Sequence, residues 1–210
     1  MPAAPLPQTT RSAILERANA YLNVNWTMRP ENFSRPGVED RCAKTEGKFW
    51  QRPRRFNTDA IGKTFGPMPY HWGGGDTPES FRTKVAAGSL AGSVCTCREP
   101  AFNQCVVSFA AGVDCSGFVS RTWGIPKRGT TGLGQVAQPV NDITKLRLGD
   151  ALNKAGSHVR LFIGFKPGAE LLFEVLESAT NLRCEGVCRS TYTLQQLAGY
   201  QPLRFAGTRD

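Results

Sequence analysis

Of the seven cysteines in the chain, Cys115 stands in the context best suited to chemistry. It lies in Gly112-Val113-Asp114-Cys115-Ser116-Gly117-Phe118-Val119. Cys115, Phe118, Val119 and Thr122 follow the i, i+3, i+4, i+7 spacing of one helix face, and Gly124 and Pro126 end the run. A helix starting near Asp114 places the sulfur in its first turn. There, N–H groups without helical partners and the positive end of the helix dipole stabilise a thiolate. Asp114 can cap that start, and Gly117 leaves room for a substrate to approach the sulfur. The backbone N–H of Cys115 can help bind the oxyanion of a tetrahedral intermediate. An inert cysteine buried on an apolar helix face has the same spacing, so the nucleophile reading requires a base.

Only His71 and His158 can supply an imidazole. His158 follows Leu148-Gly149-Asp150 and Gly156-Ser157, and it opens the apolar run Val159 to Phe165, which reads as a strand. A polar residue at the mouth of such a strand is well placed at a cleft. His71 sits in Pro69-Tyr70-His71-Trp72-Gly73-Gly74-Gly75, a loop-like stretch, and is the other candidate base. Leu171 to Glu177 forms a second strand-like run, with Lys166-Pro167-Gly168-Ala169 as the turn. If that turn is symmetric, Phe165 faces Glu170, and counting outward sets His158 opposite Glu177. Directly opposed residues on one sheet face have Cβ atoms roughly 4.5 to 5.5 Å apart, so Glu177 can orient the imidazole through its second nitrogen. A slip of one residue would turn Glu177 to the other face, and Glu174 lies on that face by alternation.

The elements around these residues read as α+β. Arg11 to Leu22 carries Ile14, Leu15, Ala18, Tyr21 and Leu22 at helical spacing. Residues 23–66, rich in Pro, Gly, Arg and Asn, read as irregular. Thr77-Pro78-Glu79 begins a helix that carries Phe81 and Val85 and ends at Gly88. Thr191 to Ala198 reads as a short helix and Leu203-Arg204-Phe205 as a last strand. Helices followed by antiparallel strands point to segregated elements rather than a doubly wound sheet. At 210 residues the chain suits one domain, 11–210, behind a Pro- and Ala-rich linker, 1–10.

Composition narrows the class. The net charge of +9 is spread along the chain, apart from a small cluster at Arg52, Arg54 and Arg55, and no nucleic-acid module accompanies it. Diffuse positive charge suits an anionic polymer such as a cell wall, and equally suits plain solubility. No apolar run approaches the roughly 18 residues of a membrane helix, so no stable membrane insertion is expected. With Cys115 set aside, Cys42, Cys95, Cys97, Cys105, Cys184 and Cys188 can pair fully. Cys184 and Cys188 can close a small loop, and residues 89–112 read as an insertion pinned by disulfides. Such pairing implies a secreted or periplasmic protein. A zinc site on Cys42, Cys95, Cys97 and Cys105 is the alternative, although the Cys-x-x-Cys spacing is missing. A cytosolic chain with a floppy N-terminus is the alternative to secretion.

Together these pieces resemble the NlpC-type family of papain-like cell-wall peptidases. Pro69-Tyr70-His71-Trp72-Gly73-Gly74 is similar to the family's Tyr-x-Trp-Gly-Gly segment, and Asp114-Cys115-Ser116-Gly117-Phe118-Val119 to its nucleophile motif. Leu148-Gly149-Asp150, Ser157-His158-Val159 and Phe162-Ile163-Gly164 are similar to its histidine strand. The resemblance covers about residues 60 to 205 and implies a papain-like fold, with an antiparallel sheet packed on a helix that carries the nucleophile at its N-terminus. It implies Cys115 as nucleophile, His158 as base and Glu177 in the third catalytic position, where the family commonly has histidine. Tyr70, Trp72, Asp114, Ser116 and Ser157 become candidate substrate contacts. The implied activity is hydrolysis of peptidoglycan stem peptides by a monomer, often between D-glutamate and the diamino acid, with no metal or organic cofactor. An amidase or acyltransferase on the same scaffold, and a non-catalytic wall-binding or zinc-stapled domain, are the rival readings.

Overall fold

A computed structural model of the chain describes residues 5–33, 52–53, 56–95, 106–168, 170–181 and 184–210. Cys42, Cys97, Cys105, Arg54, Arg55 and Ala169, on which parts of the sequence reading rest, lie outside the described residues. In order, the elements are β1 (Thr9–Thr10), α1 (Arg11–Leu22), β2 (Trp26–Thr27), α2 (Pro30–Phe33), β3 (Thr64–Phe65), α3 (Pro78–Ala86), β4 (Leu90–Ala91), β5 (Ala110–Ala111) and α4 (Cys115–Thr122). They continue with β6 (Ala137–Pro139), β7 (Ala151–Lys154), β8 (His158–Lys166), β9 (Leu172–Ala179), β10 (Gly186–Thr193), β11 (Gln201–Phe205) and β12 (Thr208–Arg209). The fold is α+β, as the order of patterns implied. The chain forms two compact units.

The first unit holds residues up to Asn19, Cys115–Glu177 and Arg189–Asp210. It is built on a six-stranded sheet in the order β10-β9-β8-β7-β11-β6. The β7–β8, β8–β9, β7–β11 and β6–β11 pairs are antiparallel. Helix α4 packs directly against β8. One side of the sheet carries Leu152, Phe162, Phe173 and Val175, buried together with Leu146 and Leu197, and Phe165, Tyr192 and Tyr200 pack onto this cluster. Each such side chain contributes about 1.5–3 kcal/mol by leaving water. Trp123, just past α4, stacks on Phe205 at 5.2 Å and donates its indole N–H to the Gly149 carbonyl at 2.9 Å. Gly149 has φ 88°, and a Cβ there would sit 3.0 Å from Ile14 Cδ1, so α1 packs closely over the Leu148-Gly149-Asp150 turn.

Asp150 of that turn is fully buried and heavily bonded. Arg204 donates Nη2–H to Oδ2 at 2.7 Å and Nε–H to Oδ1 at 3.0 Å. Arg11 reaches Oδ1 at 3.3 Å, and the Arg147 backbone N–H reaches Oδ2 at 2.9 Å. A buried carboxylate is tolerable only with its lone pairs filled in this way. This aspartate ties α1, the turn and β11 together.

The second unit holds Ala20–Asp114 and Ser178–Cys188. Its core includes Trp26, whose ring lies 5.4 Å from Phe56, 5.2 Å from Phe65 and 5.5 Å from Phe81. The described parts of 23–66 are therefore less irregular than expected: β2 pairs with β3, and aromatic packing rather than a sequence period organises them. Helix α3 begins as its sequence implies. The Thr77 hydroxyl accepts from the Ser80 backbone N–H while the Ser80 hydroxyl accepts from that of Thr77, a reciprocal cap with Pro78 in the first turn. Within 89–112, β4 and β5 pair in parallel and are buried, so the described ends of this segment belong to the core.

Two local readings change. Thr191–Thr193 belongs to strand β10 rather than to a helix, which survives only as a single 3-10 turn at Gln195–Leu197. The β8–β9 register also differs from the symmetric-turn count. Lys166 pairs with Leu172, Phe165 with Phe173 and Gly164 with Glu174, but Phe162 pairs with Val175 and Leu161 with Leu176. A bulge at Ile163 absorbs the odd residue.

Candidate active site

That bulge decides where Glu177 points. Continued unbroken, the turn-side register would set Glu177 opposite Leu161, on the face away from His158. The bulge puts Leu176 opposite Leu161 instead. Continuing inward then sets Glu177 opposite Arg160, one step diagonal from His158, and all three share a face because i and i+2 alternate together. The sequence count placed Glu177 directly opposite His158. The true offset is two residues, which keeps the face and changes the pairing.

His158 is the first residue of β8 and is partly buried, while Glu177 is fully buried. His158 Nε2 lies 2.7 Å from Glu177 Oε2. Arg160 donates Nε–H to the same oxygen at 3.0 Å, and the Tyr192 hydroxyl donates to Oε1 at 2.6 Å. The Arg160 guanidinium lies over two rings, 4.1 Å from Tyr192 and 4.3 Å from Tyr200. Burial pushes the Glu177 pKa upward, the largest single effect, but bonds from His158 and Tyr192 with the charge of Arg160 outweigh it and hold the carboxyl down at about 2. Burial also works against the Arg160 charge, and Glu177 with the two tyrosines more than restores it. Glu177 is thus an anion at any physiological pH and can only accept hydrogen bonds. The proton between it and His158 therefore sits on Nε2, which leaves Nδ1 as the ring nitrogen not engaged by Glu177.

Cys115 is the first residue of α4, a buried thiol outside any disulfide. The helix that carries it packs on the strand that His158 opens. The phenol pKa of Tyr200 is raised first by burial, is lowered by Arg160, and is raised further by Glu177 and Cys115. Ser116 is buried on α4, and Ser157 is exposed in the turn before β8, where its N–H bonds the Lys154 carbonyl at 3.0 Å.

Tyr70, Trp72 and Asp114 belong to the second unit. The Tyr70 segment runs alongside the chain leading to Cys115: Tyr70 and Gly75 both bridge to Val113, and Asp114 N–H bonds the Gly74 carbonyl at 3.2 Å. Glycine is required there. A Cβ on Gly74 would lie 2.5 Å from the Gly112 carbonyl oxygen, and one on Gly112 would lie 2.5 Å from that of Pro69. Ser178, next after Glu177, donates to the Val113 carbonyl at 2.7 Å. His71 is buried in this packed turn, its backbone N–H bonded to the Val113 carbonyl. His158, by contrast with this turn, opens a strand and is bonded to the buried Glu177 carboxylate.

Cys184 and Cys188 form a disulfide, as their spacing suggested, and Cys95 is also disulfide-bonded. No helix among the described residues is long and apolar enough to cross a membrane. Sequence reasoning missed Arg160, Tyr192 and Tyr200. Arg160 could have been found by alternation from His158, whereas the tyrosines come from distant strands and loops with no local signal. No protein-family model matches the chain, and no curated protein or solved structure does so either.

Proposed function

We propose that the protein is a papain-like cysteine peptidase of the NlpC type that hydrolyses amide bonds in peptidoglycan stem peptides. The observation that carries this reading is the 2.7 Å contact between His158 Nε2 and an ionised, fully buried Glu177. An imidazole held this way has its remaining nitrogen prepared for a nucleophile, and Cys115 begins the helix packed against the same strand.

In this reading His158 Nδ1 takes up the proton of the Cys115 thiol, and the helix N-terminus helps to hold the sulfur as a thiolate. The thiolate attacks the amide carbonyl, and the backbone N–H of Cys115 helps bind the resulting oxyanion. The imidazolium protonates the leaving amine as the C–N bond breaks. Water, deprotonated by His158, then cleaves the thioester and restores the thiol–imidazole pair. Glu177 keeps the ring oriented and stabilises the imidazolium throughout, without taking up the proton. The bond cleaved is that between D-glutamate and the diamino acid. The disulfides support a location outside the cytoplasm, secreted or periplasmic, where this polymer lies.

The test is mass spectrometry of purified muropeptides after digestion with the wild type and with Cys115→Ala. New products carrying a free amine on the diamino acid, absent with the variant, are expected. Cleavage only of lipid or protein substrates would replace peptidase action on the wall with another acyl transfer.

A further inference from the structure

The Glu177 carboxylate is oriented entirely by side chains, among the described residues. Oε2 receives His158 and Arg160, and Oε1 receives Tyr192. Of these donors only Arg160 is itself held rigidly from both sides, by the rings of Tyr192 and Tyr200. A planar guanidinium between two aromatic faces keeps one fixed direction for its Nε–H, which the rotatable ammonium of a lysine does not.

Only the Nε edge of the fork is used on Glu177, at the oxygen shared with His158.

We propose that Arg160 is a positioning residue, which by fixing Glu177 Oε2 from between Tyr192 and Tyr200 locks His158 into the tautomer that carries its proton on Nε2. The role rests on the reading of His158 as the base, and it explains how a carboxylate serves where the resembled family commonly has histidine. An unrestrained carboxylate could turn its other oxygen toward the ring or swing away, and the imidazole would then populate both tautomers. Only one of them presents Nδ1 as a base. The titratable and charged groups around the cluster are Glu177 on β9, which bonds the ring, Arg160 on β8 and Tyr192 on β10, which bond Glu177, Tyr200 before β11, against which Arg160 lies, and Lys154 on β7, whose backbone pairs with that of His158. Lys154 is exposed, so solvent screens its charge.

Nitrogen NMR of imidazole-labelled full-length protein tests this directly, because the chain has two histidines and His71 serves as an internal control. At a pH where the ring is neutral, wild-type His158 should show a single tautomer, protonated on Nε2. In Arg160→Gln it should show averaged nitrogen shifts while His71 is unchanged. Arg160→Lys, which keeps a cation and an aliphatic stem between the rings, should show the same averaging at smaller amplitude. If Arg160→Gln does not fold, the lysine variant alone decides. Wild-type shifts at His158 in either folded variant would overturn the proposal. The readout stands whether or not any peptide is cleaved. With an active substrate, Arg160→Gln should lower kcat by up to about 100-fold with KM little changed, the mark of a misplaced reacting group. Loss confined to KM would contradict the positioning role.

Discussion

Replacing Glu177 by Gln removes one charge from the centre of the site and leaves its shape. Folding lowers this carboxyl from an ordinary value of 4.5 to about 2. A group whose folded pKa is depressed stabilises the fold fully above its unfolded pKa, and that contribution disappears as pH falls through the folded value. Each pH unit in that window is worth about 1.4 kcal/mol, so ionised Glu177 contributes on the order of 3 kcal/mol at neutral pH. The assay is urea denaturation of wild type and Glu177→Gln, each at about pH 5 and about pH 3. Over that interval the wild type should lose about 2 kcal/mol more stability than the variant. Comparing the two slopes cancels whatever the amide itself does to packing. Parallel losses would refute the reasoning, since they would mean that Glu177 is not held ionised by His158, Tyr192 and Arg160.

Asp150→Asn should strip the countercharge from Arg204 and Arg11 and destabilise the fold by about 3 kcal/mol, read as a lower urea midpoint. Thr77→Ala should cost about 1 kcal/mol by opening the α3 cap, seen as a lower Tm, with hydrolysis unaffected.

Periodicity made part of this architecture legible. Helix α1 runs from Arg11 to Leu22 as its apolar spacing implied, with Ile14, Ala18 and Tyr21 buried on one face. Helix α4 starts at Cys115 and β8 at His158, because an apolar stripe and an apolar run each begin there. Strand β10 was misread where Leu194, Gln195, Gln196 and Leu197 suggested a helix. The β-branched and aromatic residues of Val187 to Thr193 instead follow the edge of the sheet. The parallel pair of β4 and β5 joins residues about twenty apart through two-residue strands, too short for any period to mark. Glu177 could be placed on the correct face by counting, but only because the real turn and the bulge together displaced the register by an even number. The tyrosines and the Arg160 stack depend on tertiary packing and were invisible to local pattern.

In the proposed mechanism the Cys115 sulfur is ionised through His158. The most direct measurement is the rate of iodoacetamide alkylation of Cys115 against pH, in wild type and His158→Ala, with Cys115→Ala as the blank. The account predicts that near neutral pH the wild-type sulfur reacts faster than a simple alkyl thiol and that His158→Ala removes this advantage. A wild-type rate no faster than the simple thiol, or one unchanged by the loss of the imidazole, would contradict it.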